Sequence, residues 1–263
     1  LAAAMYGLES VRGEQIRWLA VAGPLAIGMA FLAGYAFHSR RTLHAVLDLS
    51  LLRVQTFNAS VVGGAFMRMG MGSTPFLLAL LLQKAFHLSA FQAGLMTFAS
   101  AAAALAMKTV APPILARFGF KKVLSVNTVI VAVSFMAYAL FTPTTPHAVI
   151  IGILVVGGFF RSLQFTSLNG LAFADVEQRQ MSRASSMSTM GQQLSQTIGI
   201  SLAAAMLHMT MAAQGSSEPT AEAIAPAFIG VGIATLISLL FFLPLPANAG
   251  DELHGQPKRP RGV

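Results

Sequence analysis

An all-α, polytopic membrane bundle of seven transmembrane helices is the fold class this sequence predicts, and three observations predict it. Apolar residues make up 55% of the 263 and charged residues only 10%, where a soluble domain carries about 25% charged residues. The mean hydropathy is +0.69. The apolar residues fall into seven long runs, each near or above the ~20 residues that a helix needs to cross the hydrocarbon core. Only helices and closed barrels satisfy their backbone groups in lipid, and continuous runs of this length argue for helices.

In chain order, residues 1–15 read as the tail of a preceding segment and a turn. The apolar runs then occupy 16–37, 54–82, 90–115, 123–141, 147–172, 184–210 and 223–245. Trp18 and Tyr35 stand near the two ends of the first run, where interfacial aromatics gather. The organisation expected is one helix and a linker over 1–44, a six-helix domain over 45–247, and a basic tail over 248–263. The start at Leu1, with no charged leader before a short apolar core, reads as a chain cut from something longer.

Orientation follows from lysine and arginine. One set of loops holds Arg40, Arg41, Arg53, Arg117, Lys121, Lys122, Arg179, Arg183, Lys258, Arg259 and Arg261. The opposite set holds Arg12, Arg17 and Lys84. Positive charge marks the cytoplasmic side, so the C-terminus is expected inside.

Composition also narrows function. The basic residues sit between apolar runs and not on a soluble surface, which argues against nucleic-acid binding. Cysteine is absent, so no disulfide framework or thiolate metal site exists. There is no Gly-rich phosphate loop, no nucleophile elbow and no histidine pair at metal spacing. Neither an enzyme nor a resident cofactor is expected.

Three cations remain, and all fall inside apolar runs: Arg68, Lys108 and Arg161. None of the nine acidic residues does. An unpaired cation in lipid costs several kcal/mol on insertion scales, so each must face water, a partner or an anion. Lys108 lies near an end and is able to snorkel. Arg161 reads either as a pathway residue or as a hub bonding backbone carbonyls. Arg68 reads likewise, with Gly70, Gly72 and Pro75 marking a bend that would expose carbonyls.

Two runs concentrate the remaining polarity. Ser162, Thr166 and Asn169 share a helical face, with Arg161 and Phe165 beside it, and Gln164 adds a further polar side chain to the same run. Gly191, Ser195, Gly199 and Ala203 step by four, a small-residue stripe that permits close packing. Ser188, Gln192 and Gln196 form the adjacent stripe, either interhelical glue or a cavity wall. The fourth and seventh runs are almost uniformly apolar and read as lipid-facing.

Several segments, taken in order, resemble the C-terminal half of a major facilitator superfamily transporter, and more narrowly the fourteen-span drug:proton antiporters. Pro75–Gln83 (PFLLALLLQ) and Leu88–Leu95 (LSAFQAGL) are similar to that family's first helix of the C-domain and the start of the next. Ala116–Lys122 (ARFGFKK) resembles the second copy of its cytoplasmic motif, carried here by Arg117, Gly119, Lys121 and Lys122. Phe165–Asn169 (FTSLN) and Ser182–Leu194 (SRASSMSTMGQQL) resemble the fifth and sixth segments, and Asp48–Arg53 (DLSLLR) the lead-in. Pro112 and Ala116 depart from the motif, which usually has Gly and Asp there.

The resemblance implies half of a major facilitator fold plus one extra helix, with an N-terminal half of the same protein as its missing partner. It implies proton-coupled efflux of drugs or other small molecules through the inner membrane, by two halves rocking about a midplane site. The expected substrate-path residues are Arg161, Gln164, Asn169, Gln192 and Gln196, with Arg68 and Lys108 as intramembrane charges. The second, third, fifth and sixth runs are expected to line the cavity. An organic-anion carrier and a non-transporting membrane scaffold are the alternatives.

Overall fold

The computed structural model describes residues 49–250. The chain divides into two compact units, Leu1–Leu49 and Ser50–Val263, each taken by itself. The first expected span, with Trp18 and Tyr35, lies outside the described residues, as does the tail beyond Gly250. The count of seven helices therefore reduces here to six.

Those six are long and apolar enough to cross a membrane: α1 Gln55–Ala85, α2 Ala90–Phe118, α3 Phe120–Tyr138, α4 His147–Phe173, α5 Gln178–Gln214 and α6 Ala221–Phe242. No strand occurs among the described residues. A short 3-10 turn, Leu49–Arg53, leads into α1 and buries Leu51. The helix ends follow local chemistry. Ser89 caps α2 in a reciprocal capping box with Gln92, and the Thr220 hydroxyl accepts from the Ala223 amide at the start of α6. Gly215, at φ 63°, closes α5 in the left-handed conformation that glycine adopts without steric cost.

The expected runs match these helices closely, with one instructive difference. The connection between the expected runs 147–172 and 184–210 is shorter than their gap, because Gln178–Arg183 already belongs to α5. Its polar opening turns do not register as an apolar run, although nothing in them breaks a helix.

The helices pack in a ring of neighbours: α2 on α4, α4 on α3, α3 on α6, and α6 on both α1 and α5. Helix α1 also crosses α5 closely. A Cβ on Gly72 would stand 2.5 Å from the Gln196 carbonyl oxygen, and one on Gly199 would collide with the Met69 backbone. The small-residue stripe of α5 is therefore a packing face against α1, and its Ser195 and Ala203 are buried.

Helices α3 and α6 each carry an exposed apolar face, Val126, Val129 and Val133 on α3 and Ile229, Ile233 and Leu240 on α6, opposite the side that packs on the bundle. Such faces suit contact with lipid.

The described acidic residues, Asp175, Glu177, Glu218 and Glu222, all lie in the connections or the first turn of α6. Of the described cations, Arg53, Arg117, Lys121, Lys122, Arg179 and Arg183 gather at one end of the bundle, and Lys84 stands at the other. At the basic end, Leu245 and Ala249 are buried and Gly250 lies against the Phe120 ring, so the packed chain continues past α6.

Candidate functional site

The seam between α2 and α4 builds the site. On α2, Ser100 interrupts a run of alanines, and small side chains there let α4 approach. A Cβ on Gly158 would collide with the Ser100 backbone and hydroxyl, so only glycine fits this contact. One turn on, the Ser162 hydroxyl donates to the Ala104 carbonyl oxygen at 2.7 Å. Beside these contacts, Arg161 Nη2 donates to Ser100 Oγ at 2.8 Å.

The Arg161 guanidinium has a second support. Its Cζ lies 5.7 Å from the Phe135 ring centroid and 6.0 Å from that of Tyr138, both on α3. These distances are within cation–π range. The rings and Ser100 hold the group in place with no carboxylate among its described contacts. A guanidinium offers five N–H donors, so most remain for another acceptor.

Beside this seam, α1, α2 and α4 enclose an open cleft of about 550 Å³. Arg161, Ser162 and Phe165 line it from α4, Thr97, Ser100 and Lys108 from α2, and Met71, Thr74 and Leu78 from α1. The volume falls within the ~300–1,000 Å³ of small-molecule sites. Lys108 is exposed and Arg161 half-buried. No acidic residue lines the cleft.

The structure separates the other expected residues into distinct roles. Gln164 is fully buried and faces α3 instead of the cleft. It accepts from Asn127 Nδ2 at 2.7 Å and donates to Thr128 Oγ1 at 2.8 Å, while Asn127 also donates to the Phe160 carbonyl oxygen. Three positions apart, Arg161 and Gln164 differ by about 60° in azimuth, enough for one to line the cleft and the other to face α3.

Arg68 is also wholly buried. Its Nη1 donates to the Ser60 carbonyl oxygen at 2.7 Å and its Nη2 to Asn169 Oδ1 at 3.4 Å. The bend at Gly70 does not feed it. The Thr74 hydroxyl, at 2.6 Å, and the Ser73 hydroxyl occupy the Gly70 carbonyl. The acceptor comes instead from the π-helical turn Ala59–Gly63. In the same turn Ser60 Oγ donates to the Leu168 carbonyl oxygen at 2.6 Å. Arg68, Ser60, Leu168 and Asn169 thus tie α1 to α4 near the basic end.

Gln192 and Gln196 are half-buried on α5, outside the cleft lining, with Gln196 at the α1 crossing. Exposed Ser186, Thr189, Gln193, Thr197 and Ser201 form a polar stripe along α5. The hydroxyls of Ser186, Thr197 and Ser201 bond back to carbonyls one turn earlier. At the basic end, Arg117 and Lys122 bracket the Phe118 ring at 5.5 and 5.6 Å, Lys121 is half-buried, and Gly119 forms the turn between α2 and α3.

Ser100, Asn127, Phe135 and Tyr138 were not singled out from the sequence. A serine in an alanine run and an asparagine in an apolar helix were the available signals for the first two. Nothing in the sequence distinguished the two aromatics.

Six apolar helices, three of which enclose a cleft with cations at its wall, define an integral membrane protein. The profile of the Major Facilitator Superfamily matches residues 60–263, and the chain belongs to that superfamily, whose members are transporters and not enzymes. It is 30% identical over 240 residues to a protein of Pectobacterium atrosepticum named "Putative multidrug resistance protein MdtD", covering 91% of this chain and 50% of that protein. The Escherichia coli protein of the same name is 30% identical over 243 residues, with 91% and 50% covered. That of Yersinia enterocolitica is 28% identical over 247 residues, with 93% and 53% covered. The chain spans about half the length of the curated relatives it matches.

Proposed function

We propose that this chain is half of a secondary active transporter that exports drugs or other small molecules across the inner membrane, coupled to protons. The observation that carries this reading is the cleft between α1, α2 and α4, where Arg161 presents uncommitted donors beside an apolar wall. The superfamily match and the multidrug-resistance names of the relatives support it. An N-terminal half would supply the other wall and the carboxylates that carry protons. Rocking of the two halves would then expose the cleft to either side in turn.

In this reading Arg161, Lys108, Asn169, Gln192 and Gln196 belong to the substrate path. Gln164 supports it by holding α4 on α3, and Arg68 by holding α1 on α4. The basic end faces the cytoplasm, in keeping with its lysines and arginines.

The test uses the native protein containing this chain in a host stripped of its own efflux systems. Efflux of a fluorescent lipophilic compound that stops when a protonophore collapses the gradient is the expected result. Efflux that persists in the protonophore would overturn proton coupling. Unchanged transport in Arg161→Ala at equal membrane abundance would remove Arg161 from the path.

A further inference from the structure

We infer that the cleft between α1, α2 and α4 receives the anionic group of an amphipathic organic acid, with Arg161 as its primary hook. The inference rests on the reading above that this cleft belongs to the substrate path, and it names the class of substrate.

Charge in the cleft is of one sign. Arg161 and Lys108 line it, no aspartate or glutamate does, and the described acids stand at the helix ends and connections. A lipophilic cation entering the cleft meets two like charges and no carboxylate to offset them.

Arg161 is also held in a particular way. The Phe135 and Tyr138 rings and one hydroxyl, Ser100 Oγ at 2.8 Å, support its guanidinium. That support uses one N–H and leaves the others without a described protein acceptor. The wholly buried Arg68 differs, with the carbonyl of Ser60 and the amide oxygen of Asn169 capping two of its donors. A planar guanidinium with open donors and fixed orientation matches a carboxylate or sulfonate in bidentate geometry.

Lys108 sets the length. Ser100, Ala104 and Lys108 follow one another at intervals of four on α2, and all three line the cleft. Eight residues correspond to about 12 Å of helix rise. Met71, Leu78, Leu82 and Phe165 supply apolar wall. The ligand this fits carries an acid at Arg161, an apolar body along that wall, and room for a second acceptor towards Lys108.

The experiment compares binding to the native protein in nanodiscs of phosphatidylcholine alone. The probes are three aryl and alkyl carboxylates of increasing length, each with its primary amide and its amine. The carboxylates are expected to bind at least tenfold more tightly than their amides, and the amines not to compete. Arg161→Gln abolishes that preference, Arg161→Lys retains part of it, and Lys108→Ala weakens the longest acid most. Amides that bind as well as acids, or amines that bind better, overturn the inference on the unaltered protein, whether or not the variants fold. Added phosphatidylglycerol that displaces the acids in full would make the occupant a lipid headgroup and also overturn it. Acids that bind but are never moved in reconstituted vesicles would sink the transport reading and leave the anion site. Amine transport without acid binding would do the reverse.

Discussion

Arg68 donates a hydrogen bond to the carbonyl oxygen of Ser60, eight residues earlier on the same helix, at 2.7 Å. An arginine with no carboxylate among its described contacts thereby finds its acceptor within its own element. The Ser60 carbonyl lies in the π-helical turn Ala59–Gly63, where the hydrogen-bond ladder departs from α-helical spacing. With Asn169 and Leu168 as the α4 partners, the charge becomes a fastener between helices.

Arg68→Ala should therefore act on stability before transport. It empties the largest fully buried side chain and leaves the Ser60 carbonyl without its donor. A loss of about 2–4 kcal/mol is expected. Thermal unfolding of the detergent-solubilised protein, followed by size-exclusion fluorescence, measures it. An unchanged midpoint with transport abolished would place Arg68 on the path instead.

Asn127 and Gln164 should behave as one unit. Each single alanine variant strands its partner's polar atoms between α3 and α4, at about 1–3 kcal/mol. The double variant should lose less than the sum of the two, with a coupling of about 0.5–3 kcal/mol. Strict additivity in the same unfolding measurement would rule out the pairing.

Gly199→Leu should keep α5 away from α1, because even a Cβ at that position collides with the Met69 backbone. Membrane abundance should fall several-fold. Ser201→Leu, two residues on and exposed, is the control and should accumulate normally. Equal abundance for the two would contradict the close crossing.

Orientation is accessible because the chain has no cysteine. Ser186→Cys, exposed towards the basic end, should react with an impermeant maleimide only in inside-out vesicles. Thr144→Cys, exposed at the opposite end, should react only in right-side-out vesicles or intact spheroplasts. The reverse pattern would invert the assignment made from lysine and arginine.

Much of the helical framework was legible because apolar length is a local property. The six described helices fall within a few residues of their apolar runs, and the α5 stripe of Gly191, Ser195, Gly199 and Ala203 is recognisable as a packing face by its period alone. Azimuth between neighbouring residues was less legible. Arg161 and Gln164 were grouped together, yet one lines the cleft and the other is bonded to α3. Asn127 passed as an incidental polar residue because its partner is 37 residues away.

The sequence by itself determined an α-helical membrane chain, its superfamily likeness, the excess of positive charge in the spans, and the placement of all acids outside them. Those properties depend on composition, period and order, which survive without coordinates. Tertiary structure alone decided what each polar group meets: Ser60 for Arg68, Asn127 and Thr128 for Gln164, and Ser100 with two aromatic rings for Arg161. A hydrogen bond acts over about 3 Å, between atoms that folding brings together. Which of several membrane-embedded polar residues is a fastener and which is left open to a ligand depends on those contacts.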